Sequence, residues 1–278
     1  MALKVLISGP TSGTGKYLAN FLAYNSFETI LLGRNMEEMQ DLEAFKSGNC
    51  KCFETNLASM DSLKQSIFNI KKEVDQIDII INNAGILGYD SPRVDERGVE
   101  ATFQVNYLAH YYLVSELAEL FNSQRTRLFN MCSRAAFWYH LDAKDFQSLK
   151  AYQPMKAYGR SKKMLMMLGK WMADNPAYAH VEVYNIDPGT FKSGISRSRG
   201  LWFRFLYEIA RSFMRRPENA CKEIVEIIQG MRTFPSGALI KNGAVKSSPV
   251  EQHLLNLLIE ESTALTGSDI RAVKAFIR

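Results

Sequence analysis

The chain opens on a short apolar run, Leu3 to Ile7, that passes at once into Ser8-Gly9-Pro10-Thr11-Ser12-Gly13-Thr14-Gly15 and then into a helical pattern. Few arrangements satisfy that order. A strand feeding a glycine-rich turn and a helix brings backbone N–H groups, and the positive end of the helix, up to a diphosphate. Glycine is needed because a Cβ would block the close approach and the unusual backbone angles. The spacing of Gly9, Gly13 and Gly15 is neither G-x-G-x-x-G nor a P-loop, which would end in Gly-Lys-Ser/Thr. Read alone, the turn also suits a plain strand-to-helix connection.

The rest of the chain alternates strand and helix signals. Strands are expected over Leu3–Ser8, Glu28–Leu32, Lys51–Glu54, Ile77–Ile81, Arg127–Cys132, Val181–Ile186 and, as the shortest, Ala238–Ile240. Helices are expected over Gly13–Tyr24, Met36–Lys46, Met60–Glu73, Gly98–Phe121, Met155–Met172, Trp202–Met214, Pro217–Gln229 and Pro249–Thr263. This order predicts an α/β fold, a Rossmann-like doubly wound parallel sheet of about seven strands with helices on both faces. With 46% hydrophobic and 23% charged residues, 278 residues can bury one large core, so a single domain over 1–278 is expected. No stretch approaches the roughly 18–20 apolar residues of a membrane span, and no secretory signal pattern precedes the first strand, which points to a cytoplasmic protein.

Cys50, Cys52, Cys132 and Cys221 lack zinc or redox spacing and are expected as free, mostly buried thiols. His110, His140, His180 and His253 form no metal-binding pair, so no metal is expected. The formal net charge of +5 is mild, and its basic residues make no dense stripe with aromatics, which argues against nucleic-acid binding.

Tyr158 and Lys162 lie four residues apart and share one face of the helix expected around them. A free phenol titrates near ~10, and a cation a few ångströms away favours the phenolate, which suits tyrosine to proton donation. Taken with the glycine turn, Asn82-Asn83-Ala84-Gly85, Ser133, Asn106 and Asp187-Pro188-Gly189-Thr190, the ordered set resembles the short-chain dehydrogenase/reductase family in its compact form. The likeness runs over nearly the whole chain. It is greatest to the retinol-dehydrogenase-like group, through Leu32-Gly33-Arg34-Asn35, Asn56-Leu57-Ala58-Ser59, the long connection from Ser133 to Tyr158, and Leu265-Thr266-Gly267.

The resemblance implies hydride transfer between a nicotinamide cofactor and a carbonyl or alcohol. Tyr158 is then the proton donor, Lys162 the group that lowers its pKa and holds the nicotinamide ribose, and Ser133 the partner of the substrate oxygen. Asn106 positions Lys162 and an ordered water. The expected cofactor contacts are Gly9, Thr11, Ser12, Gly13, Thr14, Gly15, Arg34, Asn56, Leu57, Asn83, Ala84, Gly85, Tyr158, Lys162, Pro188, Gly189 and Thr190. Gly33 stands where the family's NAD users carry an acid, and the Arg34 fork suits a phosphate, so NADP (NADPH) is expected. Asn56 replaces the Asp usual beside the adenine, and Ser8 replaces the usual Thr but keeps a hydroxyl.

Residues 190–216 match the family's substrate lid. Trp202, Phe205, Leu206, Ile209 and Phe213 recur at helical spacing opposite Arg204, Glu208, Arg211 and Arg215, an amphipathic helix that suits either core packing or peripheral contact with an anionic membrane through 202–214. With Phe137, Trp138 and Tyr139 this suggests a bulky lipophilic substrate. The family likeness also implies a homo-oligomer. Three other readings stay open: a non-catalytic NADP-sensing regulator, a tailoring ketoreductase of a specialised pathway, and a sugar-nucleotide epimerase. The epimerase is disfavoured by its different glycine pattern. Ser133 lacks a Gly-x-Ser-x-Gly elbow, which argues against a hydrolase.

Overall fold

Ile79, Ile80 and Ile81 are all buried, although successive strand residues face opposite ways, so both faces of their strand are covered. In the computed structural model, which describes residues 2–189 and 216–272, they lie in an eight-stranded sheet. β1 (Lys4–Ser8), β2 (Glu28–Gly33), β3 (Cys50–Glu54), β4 (Ile79–Asn82), β5 (Thr126–Met131), β6 (Val181–Ile186) and β7 (Ala238–Lys241) run parallel, and β8 (Ala244–Lys246) returns antiparallel. The order β3-β2-β1-β4-β5-β6-β7-β8 reverses direction between β1 and β4, where such sheets open a ligand crevice at their carboxyl ends.

The sheet has one strand more than the sequence pattern suggested. β8 is wholly exposed and carries no hydrophobic run; what makes it is the turn before it. Asn242 and Gly243 both take positive φ, 52° and 69°, as a two-residue hairpin requires.

Alternate strand residues feed two core layers. Leu6, Ile80, Leu128 and Val183 pack beneath α4 (Met60–Glu73), α6 (Ala109–Leu117), α7 (Pro154–Asp174) and α10 (Gln252–Thr266). Val5, Ile7, Ile81 and Phe129 pack beneath α1 (Gly13–Tyr24) and α9 (Lys222–Ile228). Several expected helices are divided or shifted. Met36–Lys46 splits into α2 (Met36–Gln40) and α3 (Glu43–Lys46), because Leu42 is extended, and Pro217–Gln229 splits at Cys221 into α8 (Pro217–Ala220) and α9. The helix expected from Gly98 begins only at α5 (Ala101–Phe103), where the Glu100 carboxylate caps Phe103 N at 2.8 Å. It then widens into one π turn, Gln104–Leu108, before α6. The expected helix 202–214, most of the lid and Thr190 lie outside the described residues. Among the described residues no helix is long and apolar enough to cross a membrane.

A polar ladder crosses the centre of the sheet. Asn82, Asn130 and Asn185 are register partners on β4, β5 and β6, and each is fully buried. Asn82 Nδ2 donates to Asn130 Oδ1 (2.9 Å), Asn130 Nδ2 to Asn185 Oδ1 (3.1 Å), and Asn185 Nδ2 to the Gly237 carbonyl (3.3 Å). Gly169 of α7 lies directly over them; a Cβ there would fall 2.5 Å from Asn185 Oδ1. Asn130→Leu leaves the Asn82 amide donor without its acceptor and Asn185 Oδ1 with only the long Cys132 Sγ contact (3.9 Å). At about 1–3 kcal/mol for each orphaned group, it is expected to cost about 2–6 kcal/mol, read from the urea unfolding midpoint.

The long connection into α7 is pinned by that helix itself. Arg160 donates to the carbonyls of His140 (2.8 Å) and Asp145 (3.1 Å) and lies 3.6 Å from the Asp145 carboxylate, both side chains being buried. The four cysteines are free, with Cys132 and Cys221 buried but Cys50 and Cys52 only partly so, since β3 is an edge strand.

Candidate active site

The glycine turn follows β1 at the crevice. Gly9 and Gly13 take positive φ, 66° and 53°, and a Cβ on Gly15 would fall 2.1 Å from the Gly9 carbonyl oxygen. The Ser12 side chain makes no cap bond to α1, so among the described residues the first-turn N–H groups of that helix are left without a capping side chain. A turn held open by missing Cβ atoms, ending on uncapped helix donors, fits a diphosphate.

Asn83 holds this turn in place. Its Nδ2 donates to the carbonyls of Ser8 (2.9 Å) and Gly9 (3.0 Å), and its Oδ1 accepts from Thr14 Oγ1 (2.7 Å). The Asn83 and Thr14 side chains therefore face one another and shape the cradle from behind. Ser8 Oγ accepts the backbone N–H groups of Asn83 and Ala84, both at 3.0 Å, which ties β4 to β1.

At the end of β2, Gly33 is buried against Met39 and Pro10, where a Cβ would lie 2.8 Å from Met39 Sδ. Arg34 is exposed at the rim, and Asn35 caps α2 by accepting from Glu38 N (3.2 Å). Beyond β3, exposed Asn56 accepts from Ala58 N through its Oδ1 (3.1 Å), and Leu57 is buried beneath it. Pro188 and Gly189 follow β6, with Gly189 at φ 71°. The buried Asp187 carboxylate accepts from Gly189 N (3.0 Å) and pairs with Lys241 Nζ (2.5 Å).

Helix α7 starts at Pro154, whose fixed φ and absent N–H suit a first helical position. It carries half-buried Tyr158 in its second turn and Lys162 one turn on. Gly159 lets α7 close on the 3₁₀ turn Arg134–Phe137, since a Cβ would lie 2.5 Å from the Ala135 carbonyl oxygen. That turn is capped by Ser133, whose Oγ accepts from Ala135 N (3.3 Å), so Ser133 and Tyr158 lie on two elements packed together.

Lys162 is 3% exposed. Its Nζ donates to the Met131 carbonyl (2.8 Å), and its ammonium comes so near Gly85 that a Cβ there would lie 3.2 Å from it. Burial pulls its pKa from 10.5 down to about 8. Beside it, burial pushes the Cys132 thiol up to about 12.

Asn106 sits in the π turn, where helices are often interrupted at functional positions. Its Oδ1 accepts from Ile86 N (2.8 Å), and its Nδ2 donates to the Ile86 carbonyl (2.9 Å) and to Ser161 Oγ (3.0 Å). It thus fixes both the segment after Gly85 and the face of α7 next to Lys162. The structure brings together the glycine turn, Asn83–Gly85, Asn106, Ser133, Tyr158 and Lys162, and places Pro188–Gly189 at the end of the strand next to β5. Arg34 and Asn56 lie at the ends of neighbouring strands. Sequence reasoning passed over His110, which contacts both Ser8 and Asn106, and the Lys241 that holds Asp187. The first was visible four residues after Asn106; the second carried no local signal.

The chain belongs to the short-chain dehydrogenase family, whose model matches residues 3–202. It is 28% identical over 229 residues to the WW domain-containing oxidoreductase of Drosophila melanogaster, covering 77% of this chain and 55% of that protein. It is also 28% identical over 204 residues to mouse (Mus musculus) retinol dehydrogenase 13, covering 71% and 61%. The matched region thus spans somewhat over half the length of these curated relatives. Among solved structures, the fold is similar to a 3-ketoacyl-(acyl-carrier-protein) reductase from Brucella melitensis complexed with NADH, with a TM-score of 0.66, 17% identity, and 86% and 95% of the two chains covered. It is similar also to the Pseudomonas aeruginosa RhlG/NADP complex, with a TM-score of 0.66, 21% identity, and 86% and 94% covered.

Proposed function

We propose that this protein is an NADP-linked oxidoreductase that interconverts a carbonyl and an alcohol on a bulky, lipophilic small molecule. The observation that carries the reading is the buried Lys162 ammonium, held on the Met131 carbonyl and against Gly85, one helical turn beyond a half-exposed Tyr158. When bound, the nicotinamide supplies or accepts the hydride. The chain's residues do the rest. The Tyr158 hydroxyl gives a proton to the carbonyl oxygen in reduction and takes it back in oxidation, Ser133 orients that oxygen, and Lys162 favours the phenolate. Asn106 holds the segment beyond Gly85 against α7 and so keeps Lys162 in register. Gly9 to Gly15 would hold the diphosphate, and Gly85, Pro188 and Gly189 would flank the nicotinamide end.

NADP is favoured by Arg34, exposed at the rim beside a Gly33 that offers no carboxylate. Charge-assisted hydrogen bonds of about 1.5–3 kcal/mol make Arg34→Gln raise the NADPH dissociation constant about 10–100-fold while NADH binding changes by less than about twofold. Equal losses for both cofactors in a fluorescence titration would contradict the NADP preference. Phe137 and Trp138, exposed just beyond Ser133, support an apolar substrate, as do relatives named retinol dehydrogenase 13 and polyprenol dehydrogenase. The reading includes a cytoplasmic, self-associating enzyme; light scattering reports the second. NADPH oxidation over ketones and aldehydes of graded size is the functional test, and cofactor binding without turnover of any of them favours the regulator instead.

A further inference from the structure

His110 has no exposed surface, and both ring nitrogens have partners. Nδ1 lies 3.2 Å from the Asn106 carbonyl oxygen and Nε2 lies 3.0 Å from Ser8 Oγ. A carbonyl only accepts, so Nδ1 must carry a proton. Ser8 Oγ already accepts two N–H groups, from Asn83 and Ala84, which leaves its own proton to give. The other acceptor in reach, the Ile81 carbonyl, is 3.5 Å away, at the limit of a hydrogen bond. Nε2 is therefore the acceptor, and the ring is neutral. Burial, with the Lys162 charge nearby, agrees, drawing the imidazole down to about 3.

We infer that His110 is a positioning residue, locked as the Nδ1–H tautomer, which joins the Ser8 hydroxyl under the cofactor turn to the backbone of Asn106 in the π turn and so holds the dinucleotide cradle in register with Lys162 and Tyr158. The bridge spans two elements that, among the described residues, no other side-chain hydrogen bond joins: the end of β1, and the widened helix turn that braces Ile86 and Ser161. Its place in catalysis and the cofactor readout of its coupling to Ser8 rest on the oxidoreductase reading; its tautomer does not.

The test uses the full chain labelled with ¹⁵N-histidine. The signals lost in His110→Phe are expected to show a protonated Nδ1 and a bare Nε2 at neutral pH, the less common tautomer of free histidine. A protonated Nε2, alone or with Nδ1, overturns the inference. In fluorescence titrations, His110→Phe is expected to weaken NADPH about tenfold, the scale of one buried hydrogen-bond link. In a Ser8→Ala background the same change is expected to have less than about a twofold effect, because the link is already broken. Equal effects in the two backgrounds overturn the bridge. Should His110→Phe not fold, His110→Asn keeps a donor toward Asn106 and loses the reach to Ser8, with the same expected contrast. A failure of the oxidoreductase reading would show as no NADPH binding, or no turnover of any carbonyl, while the tautomer remains.

Discussion

Replacing Tyr158 with phenylalanine is expected to lower turnover by about 10²–10⁴-fold, the contribution typical of a positioned general acid. NADPH affinity should stay within about twofold. The ring remains, so packing of α7 against the Ser133 turn is kept, and Gly159 still closes on the Ala135 carbonyl. What goes is the hydroxyl proposed to give the proton. Single-turnover kinetics beside a binding titration separate these effects, and a variant that turns over normally would remove Tyr158 from the chemistry.

Lys162→Met is expected to affect both binding and chemistry. The ammonium lies between the Met131 carbonyl and Gly85, so its loss leaves that buried carbonyl without its donor and removes positive charge from the crevice. NADPH should bind at least about tenfold more weakly, and turnover should fall by about 10²-fold or more. The native pH dependence follows from the same group. Its pKa is drawn down from 10.5 to about 8 by burial, so in the free protein the ammonium is lost as pH rises through about 8. The high-pH limb of kcat/KM, which reports the free enzyme, is expected near that value. The limb of kcat should lie higher, because a bound anionic dinucleotide favours the charged lysine. For stability the sign is opposite. Between about 8 and 10.5 the unfolded chain holds more protons at this site than the folded one, so this residue makes the free protein more stable with rising pH across that window. Titration of the Lys162 ¹³Cε resonance measures the midpoint directly.

Most of the sheet was legible because parallel strands buried on both faces read as unbroken apolar runs, as in Ile79–Ile81. β8 escaped because it is exposed and three residues long, so only the Asn242-Gly243 turn announces it. The helix division at Leu42 was hidden for a different reason: the apolar pattern continues through the break, and backbone geometry alone marks it. At the site, motif order singled out Ser133, Tyr158 and Lys162, which the structure places at the head of the 3₁₀ turn and on α7. Motifs could not tell which side chains face the ligand and which shape its cradle. Thr14 bonds to Asn83, Asn83 bonds to the turn, and Asn106 bonds to the Ile86 backbone. The buried ladder of Asn82, Asn130 and Asn185 was likewise invisible, since only strand register makes three distant asparagines neighbours.

The most direct test of the account follows deuterium from [4-²H]NADPH, in both stereochemical forms, into a panel of lipophilic ketones and aldehydes. The native chain is expected to yield, from one of the two forms, an alcohol with one deuterium on the carbinol carbon, and Tyr158→Phe almost none. NADPH bound tightly by the native protein, with no deuterium in any product across the panel, would contradict it.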